Sequence, residues 1–236
     1  MLIRIISDIH SNFDALEAVL ADPPGSKASA TFCLGDIVGY GAEPSRCIEK
    51  VREVCDIIVT GNHDAGAVER TPLDRFNRPG ASALIWTKTV LSDEEKEWLS
   101  SLPFSAEFDE FFLCHGFPAD PGSWIYVLKS GQAISAVSAR SDFISLIGHT
   151  HLPGCWTADG NYTDSAKGDF TKIRLVNAGS VGQPRDRDTR AAYLLIDTER
   201  RTWEHRRVEY DIDSAAEKIR EAMLPATLWE RLYKGY

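Results

Sequence analysis

Short apolar runs alternate with amphipathic stretches along the first quarter of the chain. Three runs, at residues 2–7, 31–34 and 57–60, have the length and the branched or aromatic side chains of buried strands. Two segments with apolar residues at helical spacing lie between them; Asn12 can cap the first, and Pro44 suits the first turn of the second. This order predicts a βαβαβ unit.

The remaining pattern changes from helical to extended. Residues 65–103 predict helices and irregular structure, in which Ser92 and Glu95 form a capping box. Helices are expected at 81–90 and around 215–223, and a further helix is expected to end over residues 135–140. Strands are expected at 104–108, 111–114, 143–147, 155–157, 173–176, 192–196 and 203–208. We expect this half of the chain to form a largely antiparallel or mixed sheet that packs against the first.

Composition narrows the class of protein. With 43% hydrophobic residues, 236 residues can bury a core as one α/β domain over 1–236. No apolar run approaches the roughly 20 residues of a membrane span, and the opening LIRIIS is too short for a signal peptide, which favours a cytoplasmic location. Five cysteines without a CxxC pair predict neither a disulfide framework nor a thiolate zinc site. The net charge of −9 disfavours nucleic-acid partners and leaves the oligomeric state open.

Polar residues with metal-binding chemistry cluster where predicted strands end. They are Asp8, His10, Asp36, Asn62, His63, Asp64, His115, His149 and His151. Five of the six histidines fall in these groups, and His205 is the exception. Because the carboxyl ends of strands in an open α/β sheet line one crevice, we expect these side chains to meet in one pocket.

The number and type of these side chains indicate a pair of metal ions. Asp, His and Asn without thiolate suit Mn²⁺, which we place first, or iron, Zn²⁺ or Ni²⁺. Without His63 and Asp64, seven candidate ligands remain, which is more than one ion requires. Two divalent ions sharing a carboxylate are therefore expected, and Asp36 is the candidate bridge. Such a centre keeps a net positive charge and would attract a phosphate oxyanion.

Each motif also has a structural explanation. Asp8 can cap a helix, the GNHD segment can be a turn, and His115 alone is usually structural. The loop 179–185 can offer backbone N–H groups and the Arg185 guanidinium to a phosphate, or can be a plain glycine-rich turn. Tyr40 can contact substrate or simply pack. The joint occurrence of the motifs favours the metal centre.

The ordered motifs resemble those of the calcineurin-like metallophosphoesterases. They are DxH at residues 8–10, GD at 35–36, GNHD at 61–64, HG at 115–116 and GHTH at 148–151. The resemblance implies a four-layer αββα sandwich of two mixed sheets flanked by helices. It also implies one ion held by Asp8, His10, Asp36 and His151 and another held by Asp36, Asn62, His115 and His149. The resemblance also implies that His63 is not a metal ligand.

This arrangement predicts a mechanism and a range of substrates. A hydroxide held between the two ions would attack phosphorus, His63 would protonate the leaving oxygen, and Asp64 would orient and support His63. Nucleotides, including dinucleoside polyphosphates, and phosphorylated metabolites are the expected substrates, with no choice between monoesters and diesters. A protein or nucleic-acid phosphoesterase and a catalytically silent metal-binding module are the alternatives.

Overall fold

Two six-stranded sheets form the centre of the molecule. The computed structural model describes residues 1–236. The strands are β1 (Leu2–Ile6), β2 (Ala30–Cys33), β3 (Ile57–Ile58), β4 (Ser105–Phe108), β5 (Phe111–Cys114), β6 (Ile144–Ile147), β7 (Gly154–Thr157), β8 (Tyr162–Thr163), β9 (Lys167–Asp169), β10 (Ile173–Asn177), β11 (Ala191–Asp197) and β12 (Thr202–Val208). The helices are α1 (Phe13–Ala21), α2 (Pro44–Val54), α3 (Asn62–Ala67), α4 (Arg78–Val90), α5 (Asp93–Ser101), α6 (Ser130–Ala139), α7 (Ile212–Glu221) and α8 (Ala226–Glu230).

Both sheets are mixed. The first has the order β3-β2-β1-β11-β12-β9, in which β1, β2 and β3 are parallel and the others antiparallel. The second has the order β4-β5-β6-β10-β7-β8, with β5, β6 and β10 parallel. The parallel strands place their carboxyl ends at one edge of each sheet, which is where ligands bind in α/β folds.

Alternating side chains build the layers. In β1, Ile3 and Ile5 enter the core between the sheets, whereas Ile6 packs under α1 and α2. In β6, Ile144 and Leu146 face the same central core and Ile147 faces α6. This period of two lets each sheet bury both of its faces. The resulting helix–sheet–sheet–helix order confirms the predicted αββα sandwich.

The assignment of strands to sheets differs from the prediction. The second half of the chain was expected to form its own sheet, but β11, β12 and β9 extend the first sheet, and β11 pairs directly with β1. Sequence periodicity specifies which faces are buried and says nothing about which strands pair. Since each sheet draws strands from distant parts of the chain, we propose that residues 1–236 form one domain.

Several elements were missed because they are short. The two-residue β8, the three-residue β9 and the five-residue α8 carry too little periodicity to detect. The six-residue α3 begins at Asn62 inside the GNHD segment, so this segment is a helix start and not only a turn.

No helix has the length and apolar character needed to span a membrane.

Candidate metal centre

The structure brings all seven predicted ligands together. Their loops follow β1, β2, β5 and β6, and Asn62 opens α3 just after β3. Asp8, His10, Asp36, His115, His149 and His151 are buried, and Asn62 is half-buried with its Oδ1 atom inaccessible. The predicted convergence of remote segments is therefore present in the fold.

Backbone hydrogen bonds hold the loops in register. The N–H groups of Asp8 and His10 donate to the carbonyl oxygens of Gly35 (3.0 Å) and Asp36 (2.9 Å). The N–H of Gly182 donates to the Asp8 carbonyl oxygen at 2.9 Å. These bonds join the ends of β1 and β2 to the glycine-rich loop before β11, so the positions of the ligands depend on one another.

Five of the seven ligand residues have left-handed backbone conformations. Positive φ angles occur at Asp8 (53°), His10 (50°), Asp36 (54°), His149 (68°) and His151 (61°). For a residue with a Cβ atom this conformation costs roughly 1–2 kcal/mol, and such strain concentrates at functional sites. The fold therefore turns the chain at the candidate ligands themselves.

The glycines next to the candidate ligands mainly allow other atoms to pack closely against the backbone. The glycines of the motifs are Gly35, Gly61, Gly116 and Gly148, and only Gly35 has a positive φ, at 92°. A Cβ atom on Gly148 would lie 1.9 Å from Ser7 Oγ and 2.6 Å from Asp8 Oδ2. One on Gly61 would lie 2.1 Å from Asp36 Oδ1. Both glycines make room for the carboxylates of the centre.

Backbone carbonyls set the orientation of four imidazoles. The Nδ1 atoms of His10, His115 and His151 lie 3.2, 2.8 and 2.5 Å from the carbonyl oxygens of Val38, Leu34 and Gln183. A carbonyl only accepts, so each Nδ1 carries the hydrogen and each Nε2 faces the centre. His149 is reversed: its Nε2 donates to the Trp124 carbonyl oxygen at 2.9 Å, which turns its Nδ1 inward.

The two carboxylates each use one oxygen as an anchor. Asp8 Oδ2 accepts the backbone N–H of His149 at 3.0 Å, and Asp36 Oδ1 accepts that of His63 at 2.7 Å. The other oxygen of each faces the histidines: Asp8 Oδ1 lies 3.2 Å from His151 Nε2, and Asp36 Oδ2 lies 3.2 Å from His115 Nε2. Both carboxylates thus present one free oxygen to the same space.

Charge in this pocket is unbalanced without a cation. Burial opposes ionisation of Asp8 and Asp36, but the nearby histidines outweigh it and lower the pKa of both carboxyls. Burial also disfavours charge on His115, yet Asp36 and Asp8 raise its pKa to about 9. Burial lowers the pKa of His10, and it lowers that of His149 to about 3. Two buried carboxylates therefore share one protonated imidazole.

The free atoms fit metal ions. Asp8 Oδ1 and Asn62 Oδ1 are buried acceptors with no hydrogen-bond partner. His115 Nε2 is also buried without a partner, and it becomes an acceptor when a cation replaces its proton. The Nε2 atoms of His10 and His151 lie 3.2 Å apart with their hydrogens on the opposite nitrogens, so their lone pairs face each other. Buried acceptors left in this way are costly, and a cation satisfies them. The residues present therefore suit the metals that their chemistry predicts.

The ligand atoms divide into overlapping groups. Within 4.8 Å of one another lie the donor atoms of Asp8, His10 and His151, and separately those of Asp36, His115 and His149. Asp36 Oδ2 lies 3.5 Å from His10 Nε2 as well as close to His115, so it stands between the groups. A third group joins His10, Asp36 and His63.

His63 lies beside the ligands, but Asp64 does not support it. The His63 ring packs edge-on against His10, with centroids 4.8 Å apart, and its buried Nδ1 has no partner. Asp64 instead accepts the N–H groups of Ile37 (2.8 Å), Val38 (3.1 Å) and Gly61 (3.0 Å). The expected contact between Asp64 and the His63 imidazole is therefore wrong. Asp64 fastens α3 to the loop after β2, because three backbone donors satisfy its carboxylate better than one ring.

The two predicted substrate residues, Tyr40 and Arg185, lie beside the histidines of the centre. Tyr40 is only 6% exposed and packs against His10 and His63, with ring centroids 4.6 and 4.3 Å apart. Arg185 lies next to Tyr40, with its guanidinium carbon 5.9 Å from the ring centroid. Both are near the ligands, and Tyr40 combines packing with a place at the opening.

Two residues that contact the centre or its neighbours, Trp124 and Arg231, were not predicted from the sequence. Trp124 acts through its main-chain carbonyl, which holds His149, and main-chain atoms leave no signature in a sequence. Arg231 comes from the end of the chain and reaches the Tyr40 ring at 5.8 Å. Its position in a predicted tail, far from every motif, offered no signal.

A cleft of about 200 Å³ opens over the centre. His63, Asn62 and His149 form its floor, Tyr40, Trp124 and Tyr126 its walls, and Arg75 is its one charged residue besides histidine. No carboxylate lines it. The cleft is suited to a small anionic molecule.

Known proteins share this architecture and these motifs. A family model described as the calcineurin-like phosphoesterase superfamily domain matches residues 1–201. An uncharacterized protein of Methanocaldococcus jannaschii is 41% identical over 241 residues, covering 99% of this chain and 98% of that protein. A symmetrical bis(5'-nucleosyl)-tetraphosphatase of Vibrio cholerae is 24% identical over 161 residues, covering 64% of this chain and 58% of that protein.

A solved structure extends the likeness to three dimensions. The metallophosphoesterase from Sphaerobacter thermophilus has a TM-score of 0.90 to this chain at 37% identity, covering 100% of this chain and 99% of the other. Its whole length is thus shared with the present fold. Together with the family model, this shows that the chain belongs to the calcineurin-like phosphoesterase superfamily and is a metal-dependent phosphoesterase.

Proposed function

We propose that this protein hydrolyses phosphate esters of small molecules with two divalent metal ions held in the centre described above. The observation that carries the proposal is the position of Asp36 Oδ2 between two groups of inward-facing ligand atoms. Asp8, His10, Asp36 and His151 would hold one ion, and Asp36, Asn62, His115 and His149 the other. When bound, the ions would supply an activated water and positive charge for the phosphoryl oxygens. Manganese is our first choice, with iron, zinc or nickel as alternatives.

His63 is proposed as the general acid. It lines the cleft, and its backbone N–H donates to Asp36 Oδ1 at 2.7 Å, which holds it beside that carboxylate. Burial lowers its pKa to about 4, partly offset by Asp36, so in the free protein it is mostly neutral at pH 7. A phosphate dianion in the cleft favours the protonated ring by direct attraction. His63 would therefore take up its proton together with substrate and give it to the leaving oxygen.

The cleft favours small phosphorylated substrates. Its volume of about 200 Å³ fits the phosphate end of a nucleotide or phosphorylated metabolite, and its lining contains Arg75 and no carboxylate. The similarity to the Vibrio cholerae bis(5'-nucleosyl)-tetraphosphatase supports nucleotides as a class. The net charge of −9 argues against nucleic-acid substrates, and we propose a cytoplasmic location.

A direct assay tests the proposal. Purified protein is loaded with Mn²⁺, its metal content is verified, and p-nitrophenyl phosphate is compared with bis(p-nitrophenyl) phosphate. We expect hydrolysis of at least one ester, lost in Asp36→Asn and retained in Asp142→Asn, an exposed aspartate far along the chain. Verified metal with no turnover of either ester would support the silent module instead.

A further inference from the structure

Two arginines from distant segments meet beside the centre. Arg185 lies in the loop before β11, and Arg231 directly follows α8. An Nη atom of each donates to the same acceptor, Gln183 Oε1, at 3.0 and 2.9 Å. Their guanidinium carbons lie 5.9 and 5.8 Å from the centroid of the Tyr40 ring. The Nε atom of Arg231 also donates to the main-chain oxygen of Tyr236 at 2.8 Å. The pair is thus fixed by one amide oxygen, one aromatic ring and one main-chain oxygen.

No aspartate or glutamate side chain pairs with either arginine. Arg206 and Arg207, by contrast, pair with Asp22 and Asp186. The Nε atom of Arg185 is buried without a partner. Burial and the charge of Arg185 lower the pKa of Arg231. Two adjacent guanidinium groups without a carboxylate partner repel each other, and an anion bound between them would relieve that repulsion.

The pair stands between two openings. Tyr40 forms a wall of the cleft over His63, and Arg231 lines a neighbouring cleft of about 270 Å³. Asn77 lines both clefts, so they adjoin one another. The second cleft contains one carboxylate, Glu230, which pairs with neither arginine. A molecule extending from the metal centre past Tyr40 into the second cleft would meet Arg231, beside which Gln183 holds Arg185.

We propose that Arg185 and Arg231 bind a second, non-scissile phosphate of the substrate. Planar guanidinium groups bind phosphate oxygens through paired hydrogen bonds, and two of them suit a doubly charged group. The preferred substrates would then carry at least two linked phosphates, as nucleoside di- and triphosphates and dinucleoside polyphosphates do. This inference rests on the proposed hydrolysis at the metal centre, because only the phosphate held there is cleaved.

Binding of inorganic pyrophosphate to the metal-free protein tests the site without hydrolysis. Isothermal titration calorimetry on EDTA-treated, dialysed protein should show binding to the wild type. We expect Arg231→Gln and Arg185→Gln each to bind about tenfold more weakly or worse, because each removes a charge-assisted hydrogen bond to the anion. Arg231→Lys, which keeps the charge, should lose less. Arg200→Gln, at an 82% exposed side chain in the turn between β11 and β12, is the matched control and should bind as the wild type does.

Kinetics on the manganese-loaded enzyme supply the second measurement. For Arg231→Gln we expect kcat/KM for ATP to fall about tenfold relative to kcat/KM for p-nitrophenyl phosphate, mainly through KM. A merely structural role would lower both values together. Thermal denaturation checks that each variant folds, and Arg185→Gln replaces Arg231→Gln should the latter unfold.

The outcomes separate this inference from the proposed function. Pyrophosphate binding that depends on both arginines, in a protein that hydrolyses no ester, would sustain the anion site and overturn the hydrolase. Ester hydrolysis without pyrophosphate binding, or with binding that is unchanged in folded Arg185→Gln and Arg231→Gln variants, would overturn the anion site alone.

Discussion

The backbone N–H of His63 donates a 2.7 Å hydrogen bond to Oδ1 of Asp36, which leaves Oδ2 of the same carboxylate to face His10 and His115. One side chain therefore fixes the start of α3 and stands at the junction of the two ligand groups. Asp36 is for this reason the residue whose loss should affect the whole centre.

Asp36→Asn should reduce the number of bound ions. The amide can keep its oxygen toward the His63 N–H only by turning its NH₂ group toward the ligands, so the shared negative ligand is lost either way. We expect two ions per chain in the wild type and one or none in the variant, with activity lower by about 100-fold or more. Mass spectrometry of metal content after loading measures this. Two ions retained by Asp36→Asn would contradict the shared role, and Asp142→Asn serves as the control.

His63→Ala should impair catalysis without loss of metal. Removing a general acid typically costs about 10² to 10⁴ in rate. The loss should be greatest for alkyl phosphates, whose leaving oxygen needs a proton, and smaller for p-nitrophenyl phosphate, whose leaving group departs as a stable anion. Parallel assays on the two substrates check this.

Metal content decides between the two roles open to His63. Its donor atom also groups with those of His10 and Asp36, so the geometry permits a ligand role. A fall in bound metal in His63→Ala, with equal losses on both substrates, would make His63 a ligand and refute the acid. His63→Gln, which keeps a polar side chain, provides the comparison.

Gly148→Ala should disrupt the centre, whereas Gly131→Ala should stabilise the protein. The added methyl at position 148 would lie 1.9 Å from Ser7 Oγ and 2.6 Å from Asp8 Oδ2, while at position 131 in α6 nothing lies within 4 Å. We expect the first variant to lose metal affinity and the second to gain about 0.5–1 kcal/mol of stability. Metal titration and chemical denaturation measure the two effects. Unchanged metal affinity in Gly148→Ala would show that the loop after β6 can move away from Asp8.

His205 should make folding sensitive to mild acid. Its Nε2 donates to the Asn177 carbonyl oxygen at 2.8 Å, and burial lowers its pKa. Below pH about 6.5 the unfolded chain gains a proton that the folded state does not, so stability falls as the pH drops toward the folded pKa, by at most about 1.4 kcal/mol per pH unit.

His205→Gln keeps a donor for Asn177 and removes the titration. The difference in unfolding free energy between wild type and variant should shift in favour of the variant between pH 7 and 5, in urea denaturation with EDTA present. A difference that does not change with pH would show that His205 titrates normally in the folded state.

Sequence alone determined the parts of this protein that depend on periodicity and on residue type. The apolar run of β1 and the helical spacing in α1 and α2 specify buried faces locally. β1 therefore ends one residue before its predicted end, and α1 and α2 begin where Asn12 and Pro44 predict, whereas β3 ends two residues early. The polar residues that end the strands predicted which side chains meet in one pocket, because parallel strands bring their carboxyl ends together in any such fold.

Tertiary structure decided everything that depends on distant partners. Four such features join segments far apart in sequence. They are the pairing of β11 with β1, the carbonyls that select a nitrogen on each histidine, the capture of Asp64 by the amides of Ile37 and Val38, and the arrival of Arg231 beside Arg185. Local pattern carries no information on such pairs, because each is selected by the packing of the whole chain and by the need to satisfy buried polar atoms.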